Sequence, residues 1–581
     1  MIANTLKPLA ALLALMHAMP VLAALPNGVA SGDISQDSAW LWARSDTPGT
    51  VKFEVSTDSG FSSSPFTFNA SVVDPLQPVK GLVSGLAAGQ QYYYRATDST
   101  NASFSGSFRT AAAAGTYNGL RFGVSGDWRG ELAPYPAISN VSSRNLDFFV
   151  KHGDTIYAER YSGPAQPTAD TLPAYRDRHN EVLSSRYGMN TWKDARASTP
   201  IYASIDDHEV VNDFSGGQIV GSGFYNDTQR YKDGLQAFRE YMPIANTNYG
   251  GTGDPRFDGK PNLYRAQNFG SDALMILTDA RSFRDVGLTP WNGTPADAPR
   301  FLGESATLDR TMLGHTQLNQ VKADLKQAQA NGVTWKFLAI GEPTQNLGLA
   351  AASDRFEGYA RERTELLSFV KKEGIQNVVF VTADIHGTLV NDLTYSLDGI
   401  HQIHSGAWEI STGAVAFDKP FGPTVVDLAQ SLGLLSPDQL AYYNSLPNNI
   451  AKDQFIKGLV NAQITPLGYT PLGLEGSGIP FTNLMPSVPG FGQLDYSIAT
   501  HSYGWTEFEI DPVTGKLIVT TYGIPGYSYD EMTANPDLFA SLEPQIVSRF
   551  AVAAVPEPGT YAMLLAGLSL FAAIARRRRA A

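Results

Sequence analysis

Between residues 28 and 110 apolar and polar positions alternate in short runs, as in Val51-Lys52-Phe53-Glu54-Val55 and Tyr92-Tyr93-Tyr94-Arg95-Ala96, with Gly, Ser, Asn and Asp between the runs. Alternation of period two broken by turn residues predicts half-buried strands, and several such strands predict a small all-β sandwich over residues 24–115. The tyrosines of these runs are packing residues. From residue 119 the rhythm changes: Asp170 to Arg186, Asp227 to Tyr241, Thr316 to Ala330 and Arg361 to Lys372 have helical spacing, and the apolar runs between them have strand length. Continuous apolar runs belong to strands buried on both faces, so residues 116–525 predict an α/β core. A Leu-rich helical stretch around Val425 to Val460 and a Gly/Pro-rich loop break this rhythm, an insertion at about 418–490 beside the functional site. Phe508-Glu509-Ile510, a turn through Gly515, and Leu517-Ile518-Val519 predict a terminal hairpin, after which residues 526–554 are expected to be a linker.

Four of the buried runs end alike. Phe122-Gly123-Val124 leads to Gly126-Asp127-Trp128-Arg129, Leu146 to Val150 to Gly153-Asp154-Thr155-Ile156-Tyr157, Ile201 to Ile205 to Asp206-Asp207-His208-Glu209, and Val378 to Val381 to Ala383-Asp384-Ile385-His386. Ligand groups gather where α/β strands end, so oxygen and imidazole donors scattered from residue 127 to residue 386 are placed to converge on one metal centre. A single Gly-Asp pair after a strand serves equally as a turn or helix cap. The third cluster is more pointed, because three carboxylates around an imidazole are costly unless a cation or solvent neutralises them. In the fourth, residues two apart at a strand end both face the site.

Composition narrows the chemistry. The chain has 581 residues, enough for more than one folding unit, and 43% hydrophobic content supplies large cores. Its 43 Lys+Arg against 56 Asp+Glu give a formal charge of −13, which argues against a stable nucleic-acid complex while leaving nucleic acid open as a substrate. There is no cysteine, so no disulfide supports the fold and no thiolate is available to a metal; the donors left are carboxylate, phenolate, imidazole and amide.

The order strand-Gly-Asp, Gly-Asp-x-x-Tyr, Asp-Asp-His-Glu, Asp-x-His resembles the calcineurin-like metallophosphoesterases, and among them the PhoD-like alkaline phosphatases and phosphodiesterases. Gly28-Val29-Ala30-Ser31-Gly32-Asp33 with Trp40-Leu41-Trp42-Ala43-Arg44, the string Thr278 to Asp285, Arg310 to Gly314 and Gly358 to Arg363 are similar to further strings of that family. The resemblance spans about residues 28 to 525 and implies an α/β metallophosphoesterase sandwich core preceded by a fibronectin type III or Ig-like β domain. It implies a first metal, ferric iron, held by Asp127, Asp154, Tyr157 and His386, and a second, calcium, magnesium or manganese, held by Asp154, Asp207 and Asp384. Asp154 then bridges the ions and His208 steadies the phosphoryl group or protonates the leaving alcohol, with Arg129 and Asn212 as phosphate-binding candidates. Where PhoD-like enzymes commonly carry a cysteine this chain carries Asp127, a harder donor that admits manganese or zinc beside iron. Glu342 and Asn346, at the end of the Trp335 to Ile340 strand, are expected to approach the site, His315 to lie exposed at the start of a helix, and His501 is a candidate for substrate contact.

Both ends read as address labels. Met1 to Ala23 has Lys7, an apolar stretch from Leu9 to Ala18 and Val21-Leu22-Ala23 as a cleavage site, the pattern of a signal peptide. Val555-Pro556-Glu557-Pro558-Gly559, the apolar Tyr561 to Ala575 and Arg576 to Arg579 resemble the PEP-CTERM sorting tail, which implies an exosortase as partner. The arginines would remain cytoplasmic, with residues 555–581 a transient inner-membrane anchor and the rest of the chain in the periplasm, at the outer surface or outside the cell. The expected protein is thus an exported, metal-dependent hydrolase of phosphate mono- or diesters, acting on a small phosphate ester or a phosphodiester polymer. The competing class is a non-catalytic surface protein that binds an anionic polymer.

Overall fold

The computed structural model describes residues 25–161, 167–489 and 492–556. The expected signal peptide lies outside these residues, as does the sorting segment beyond Pro556. Two large mixed sheets face each other. In the first, the neighbours run in the order Phe481–Asn483, Gln545–Val552, Leu517–Pro525, Ser502–Ile510, Leu120–Trp128, Phe148–His152, Ile201–Ser204, Val29–Gly32, Ser38–Ala43 and Val79–Ser84. The second runs Arg265–Phe269, Ala273–Leu277, Trp335–Ala339, Val378–Thr382, Ile403–Ser411, Thr388–Tyr395 and Ile498–Ala499. Within each, the strands nearest the functional loops are parallel: Leu120–Trp128 with Phe148–His152 and Ile201–Ser204, and Ala273–Leu277 through Val378–Thr382 to Ile403–Ser411.

The pleat explains the continuous apolar runs. Successive side chains of a strand point to opposite faces, so Phe148 and Val150 enter the core between the sheets while Phe149 enters the core outside the first sheet. Likewise Val379 and Val381 face inward and Val378 and Phe380 outward. Between the sheets Phe122 stacks on Phe148 and on Phe508, each at 4.8 Å, and meets Phe337 edge-on at 4.9 Å. Such pairs each add about 0.5–1.5 kcal/mol beyond area burial. Helices Leu172–Val182, Thr191–Ser198 and Gln229–Tyr241 cover the outside of the first sheet, and His315–Ala330 and Ala360–Lys372 that of the second. The architecture is therefore helices, sheet, sheet, helices, with the parallel strand ends of both sheets opening on the same side.

The N-terminal strands form two antiparallel sheets, but not a detached unit. Gly49–Ser56, Phe66–Val72, Gln91–Thr97 and Ser103–Arg109 make a four-stranded sheet, whereas Val29–Gly32, Ser38–Ala43 and Val79–Ser84 continue the large sheet through the pairing of Gly32 with Ile201. One hydrophobic cluster, including Leu41, Phe53, Tyr94, Phe122 and Phe337, runs through both regions. The expectation of a linker over 526–554 is corrected by Gln545–Val552, which pairs antiparallel with Leu517–Pro525 along its length and buries Phe550 and Val552. Sequence pattern hid this strand because its first residues, Gln545 and Ile546, are exposed. Beyond it, Val555 is held by both amide atoms of Asn377.

Residues after Asp418 form helices Phe421–Ser431, Pro437–Ser445 and Asn449–Ile464, which pack around Ile385, Leu389 and Ile498. Ile385 lies within the Asp384–His386 loop, and Phe421 N donates to His386 O at 2.8 Å, so this layer flanks the strand ends. Among the described residues no helix is long and apolar enough to cross a membrane.

Candidate metal centre

Asp127, Asp154, Asp384 and His386 all adopt the left-handed backbone region, with φ of 63°, 45°, 67° and 57°. Asp and His are among the non-glycine residues that tolerate this region, at a cost of about 1–3 kcal/mol each, and such residues cluster at functional sites. The conformation turns each chain sharply at its strand end, projecting the side chain into the cleft instead of continuing the pleat. Gly126 allows the two sheets to meet there: a Cβ on it would lie 2.5 Å from His152 O and 2.7 Å from Ala383 Cβ. His152 ties the same point together, its Nδ1 bonded to Ser204 Oγ at 2.8 Å and its Nε2 donating to the Ile340 and Val381 carbonyls, both at 3.0 Å.

Two donor groups result, and they share a member. Ligand atoms of Asp127, Asp154 and His386 lie within 4.8 Å of one another, and so do those of Asp154, Asp207 and His208. His386 Nε2 is 3.4 Å from Asp127 Oδ1, and the Tyr157 hydroxyl is 2.7 Å from Asp154 Oδ2 and 3.4 Å from Asp127 Oδ1. Tyr157 therefore adjoins the first group, its hydroxyl brought back to Asp154 by the bend at residues 155 and 156. Asp384 is half-buried and falls outside both groups, although Asp206 and Asp207 act on it electrostatically.

The electrostatics are those of a site built around cations. Burial first, then the charges of Asp207, Asp206, Asp127 and Glu209, push the Asp154 carboxyl well above its ordinary range. Burial and the charges of Asp154 and Asp127 likewise raise the Tyr157 phenol. Asp127 Oδ2 and Asp207 Oδ1 are buried and accept no hydrogen bond from the described residues. Orphaned carboxylate oxygens aimed at a shared space, with phenol and imidazole beside them and no thiol, fit hard metal ions. His208 differs: burial pulls its imidazole down, but Asp207 and the 2.7 Å contact with Glu159 outweigh burial and raise it to about 9.

The third cluster is divided by its surroundings. Asp206 pairs bidentately with Arg281 at 2.9 and 3.0 Å, and Glu209 accepts from Thr155 N, Thr155 Oγ1 and Asp206 N at 2.5, 2.6 and 2.9 Å. Only Asp207 keeps a free oxygen, 3.8 Å from Arg281. Arg281 and Arg284, both fully buried, also hold Asp354 and Glu342. Glu342 thus reaches the site's supporting network, while Asn346 is buried and lines a cavity with Glu357, Arg363 and Tyr469. His315 is exposed at the first turn of its helix. His501 is buried between Asp453 Oδ1 at 2.7 Å and the Tyr443 hydroxyl at 2.8 Å, a tie to the added helices.

Arg129 and Asn212 have partners at the rim. Arg129 donates to Glu131 at 2.7 Å through Nε and pairs with Asp418 through Nη1; the Asn212 side-chain amide donates to Asp213 Oδ2 at 2.7 Å. The supporting roles of Arg281 and Glu159 were not found by sequence reasoning. Arg281 follows the apolar strand Ala273–Leu277 by four residues, within the string Thr278 to Asp285, the one legible signal; Glu159 is two residues beyond Tyr157 in an unpatterned loop.

Comparison with known proteins adds three family matches: the PhoD-like phosphatase domain over residues 124–455, the PhoD-like phosphatase N-terminal domain over 15–112, and the PEP-CTERM protein-sorting motif over 554–579. Alkaline phosphatase D of Bacillus subtilis (strain 168) is 27% identical over 406 residues, covering 63% of this chain and 65% of that protein. The aligned stretch is thus slightly under two thirds of the relative's length. A solved structure titled "Structure of PhoD" superimposes with a TM-score of 0.65 at 19% identity, over 92% of this chain and 91% of the other, a likeness of fold.

Proposed function

The chain belongs to the PhoD-like phosphatase family, and we propose that it is an exported, metal-dependent hydrolase of phosphate mono- or diesters. The observation that carries the reading is the pair of donor groups sharing Asp154. Asp127, Asp154, Tyr157 and His386 would hold the first ion, which the mix of phenol and carboxylate suits to iron(III). Asp154 and Asp207 would hold the second, an oxygen pair suited to calcium, magnesium or manganese, with Asp384, outside the geometric group, as the further ligand that the family resemblance implies. When bound, such a pair supplies the acidified water and the charge neutralisation that in-line phosphoryl transfer needs.

The chain's own residues do the rest. His208, whose protonated form Asp207 and Glu159 favour and which Glu159 orients, donates its proton to the leaving alkoxide oxygen as the P–O ester bond breaks and the water oxygen bonds to phosphorus. Arg129 and Asn212, at the rim, bind non-bridging phosphoryl oxygens. Residues 24–115 are read as a fibronectin type III-like module fused to the catalytic sandwich, and the sorting motif supports export with exosortase processing of the C-terminal segment.

Metal analysis of the purified protein, with mono- and diester assays in calcium, manganese or chelator, tests the reading. Asp154→Asn is expected to lower bound metal and to cut turnover at least about 10³-fold. Undiminished turnover and metal content in that variant would refute the bridge. Metal-loaded protein that binds esters without hydrolysing either type would instead favour a non-catalytic binder of anionic polymers.

A further inference from the structure

Asp418 stands at the mouth of the centre with both carboxylate oxygens turned toward arginines. The strand Ala414–Ala416 runs parallel to Leu120–Trp128, pairing Ala416 with Trp128, and Arg129 N donates to Ala416 O at 3.2 Å. That register delivers the next two residues alongside Arg129. The Phe417 ring stacks on the His386 imidazole at 3.6 Å, lies 5.2 Å from Tyr157 and has the Arg129 guanidinium 5.5 Å from its centre; the Tyr503 hydroxyl donates to its carbonyl. From this anchored position Asp418 Oδ1 pairs with Arg129 Nη1, and Oδ2 lies 3.7 Å from Arg160 Nη2.

The fold does not need this carboxylate as a counter-ion. Arg129 is already neutralised by the buried Glu131, which accepts from both Nε and Nη2. Asp418 and Arg160 are more than half exposed, at 56% and 55%, and a pair so open to water is worth at most about 1 kcal/mol. A phosphate oxyanion offers the same arginines more charge and two parallel hydrogen bonds from a planar fork, which makes it the stronger partner.

We propose that Asp418 is a built-in competitor for the substrate's phosphate: without substrate it occupies Arg129 and Arg160, and the ester's anionic oxygens take its place on binding. The inference rests on the reading of this cleft as a phosphoester site. It also sets a preference, because a substrate must displace a carboxylate and approach it closely. A dianionic monoester has the most to gain from the arginines and the most to lose from residual repulsion by Asp418.

The test uses the metal-loaded full chain, with inorganic phosphate as the calorimetric probe and KM for a phosphate monoester and a diester as the kinetic readout. Asp418→Asn is expected to tighten phosphate binding and lower the monoester KM by about tenfold each, the equivalent of roughly 1.4 kcal/mol, with a smaller fall for the diester. In the double variant Asp418→Asn/Arg160→Gln most of that gain should disappear, because one of the released cations is gone. Phosphate binding that is unchanged or weaker in Asp418→Asn overturns the proposal, since a purely structural anchor of Phe417 would lose affinity when cut. If the unaltered protein hydrolyses neither ester, the hydrolase reading fails while the phosphate affinities still decide the role of Asp418.

Discussion

Replacing Arg281 with methionine keeps most of the side-chain volume and removes the charge on which the second half of the centre is built. Arg281 is fully buried; it holds Asp206 through two bonds of 2.9 and 3.0 Å and Asp354 through bonds of 2.9 and 3.2 Å, and it pairs with Glu342. Arg284 remains beside Asp354 and Glu342, at 2.6 and 2.9 Å, so those two keep a partner. Asp206 does not: among the described residues no other cation pairs with its carboxylate. Breaking a buried pair by removing one member costs about 3–5 kcal/mol, and the remaining Arg284 places this variant near the lower end, about 3 kcal/mol at pH 7. The pH dependence has a definite sign. Burial alone would raise Asp354, but Arg281 and Arg284 hold it well below the usual carboxylate range. A carboxyl depressed in the folded state contributes stability above its unfolded value of about 4 and loses it as pH falls through the folded value. The Asp354 share of the deficit in Arg281→Met is therefore full at pH 7 and narrows below about pH 4. The Asp206 share narrows sooner, because burial raises that carboxyl to about 6 even beside Arg281 and its protonation removes the uncompensated charge. Urea unfolding followed by tryptophan fluorescence at several pH values measures it. A deficit under about 1 kcal/mol at pH 7, or one that widens in acid, would falsify the assignment of Arg281 as the central counter-ion.

Other expectations concern the chemistry and its support. His208→Gln should lower turnover of alkyl phosphate esters by about 10²–10⁴-fold and that of nitrophenyl esters much less, because a good leaving group needs no proton; equal losses on both would remove His208 as the acid. Gly126→Ala forces a methyl against His152 O and Ala383 Cβ and should destabilise the protein by about 1–3 kcal/mol with a parallel loss of bound metal, read by calorimetry and metal analysis. His501→Phe strips Asp453 and Tyr443 of their shared partner and should lower the melting temperature, at a cost of about 1–3 kcal/mol, while leaving the KM for small esters in place; a raised KM would return His501 to substrate contact.

The donor residues were legible because each sits where a hydrophobic run stops, and burial on both faces of a strand writes that stop clearly into the sequence. Helices such as Leu172–Val182 and Ala360–Lys372 were legible for the same reason, through their one-sided spacing. The strand Gln545–Val552 was not, since a partly exposed edge pattern followed by short helices resembles a loop. Nor were the partners of the donor residues. Arg281 reaches Asp206 across 75 positions and Asp418 reaches Arg129 from a separate strand, contacts that no local periodicity encodes.

By itself the sequence determined the alternation of elements, the chemical hardness of the donor set and the order of clusters that matches one family, because these depend on residue type and local spacing. Only the tertiary structure decided which carboxylates stay free and which are spent on arginines or backbone. It set Asp154 between the two donor groups, tied His501 to Asp453 and Tyr443, and placed Phe417 against His386 and Asp418 beside Arg129. These outcomes follow from the register between strands and the distance between two sheets, quantities fixed when the cores pack and absent from any one segment.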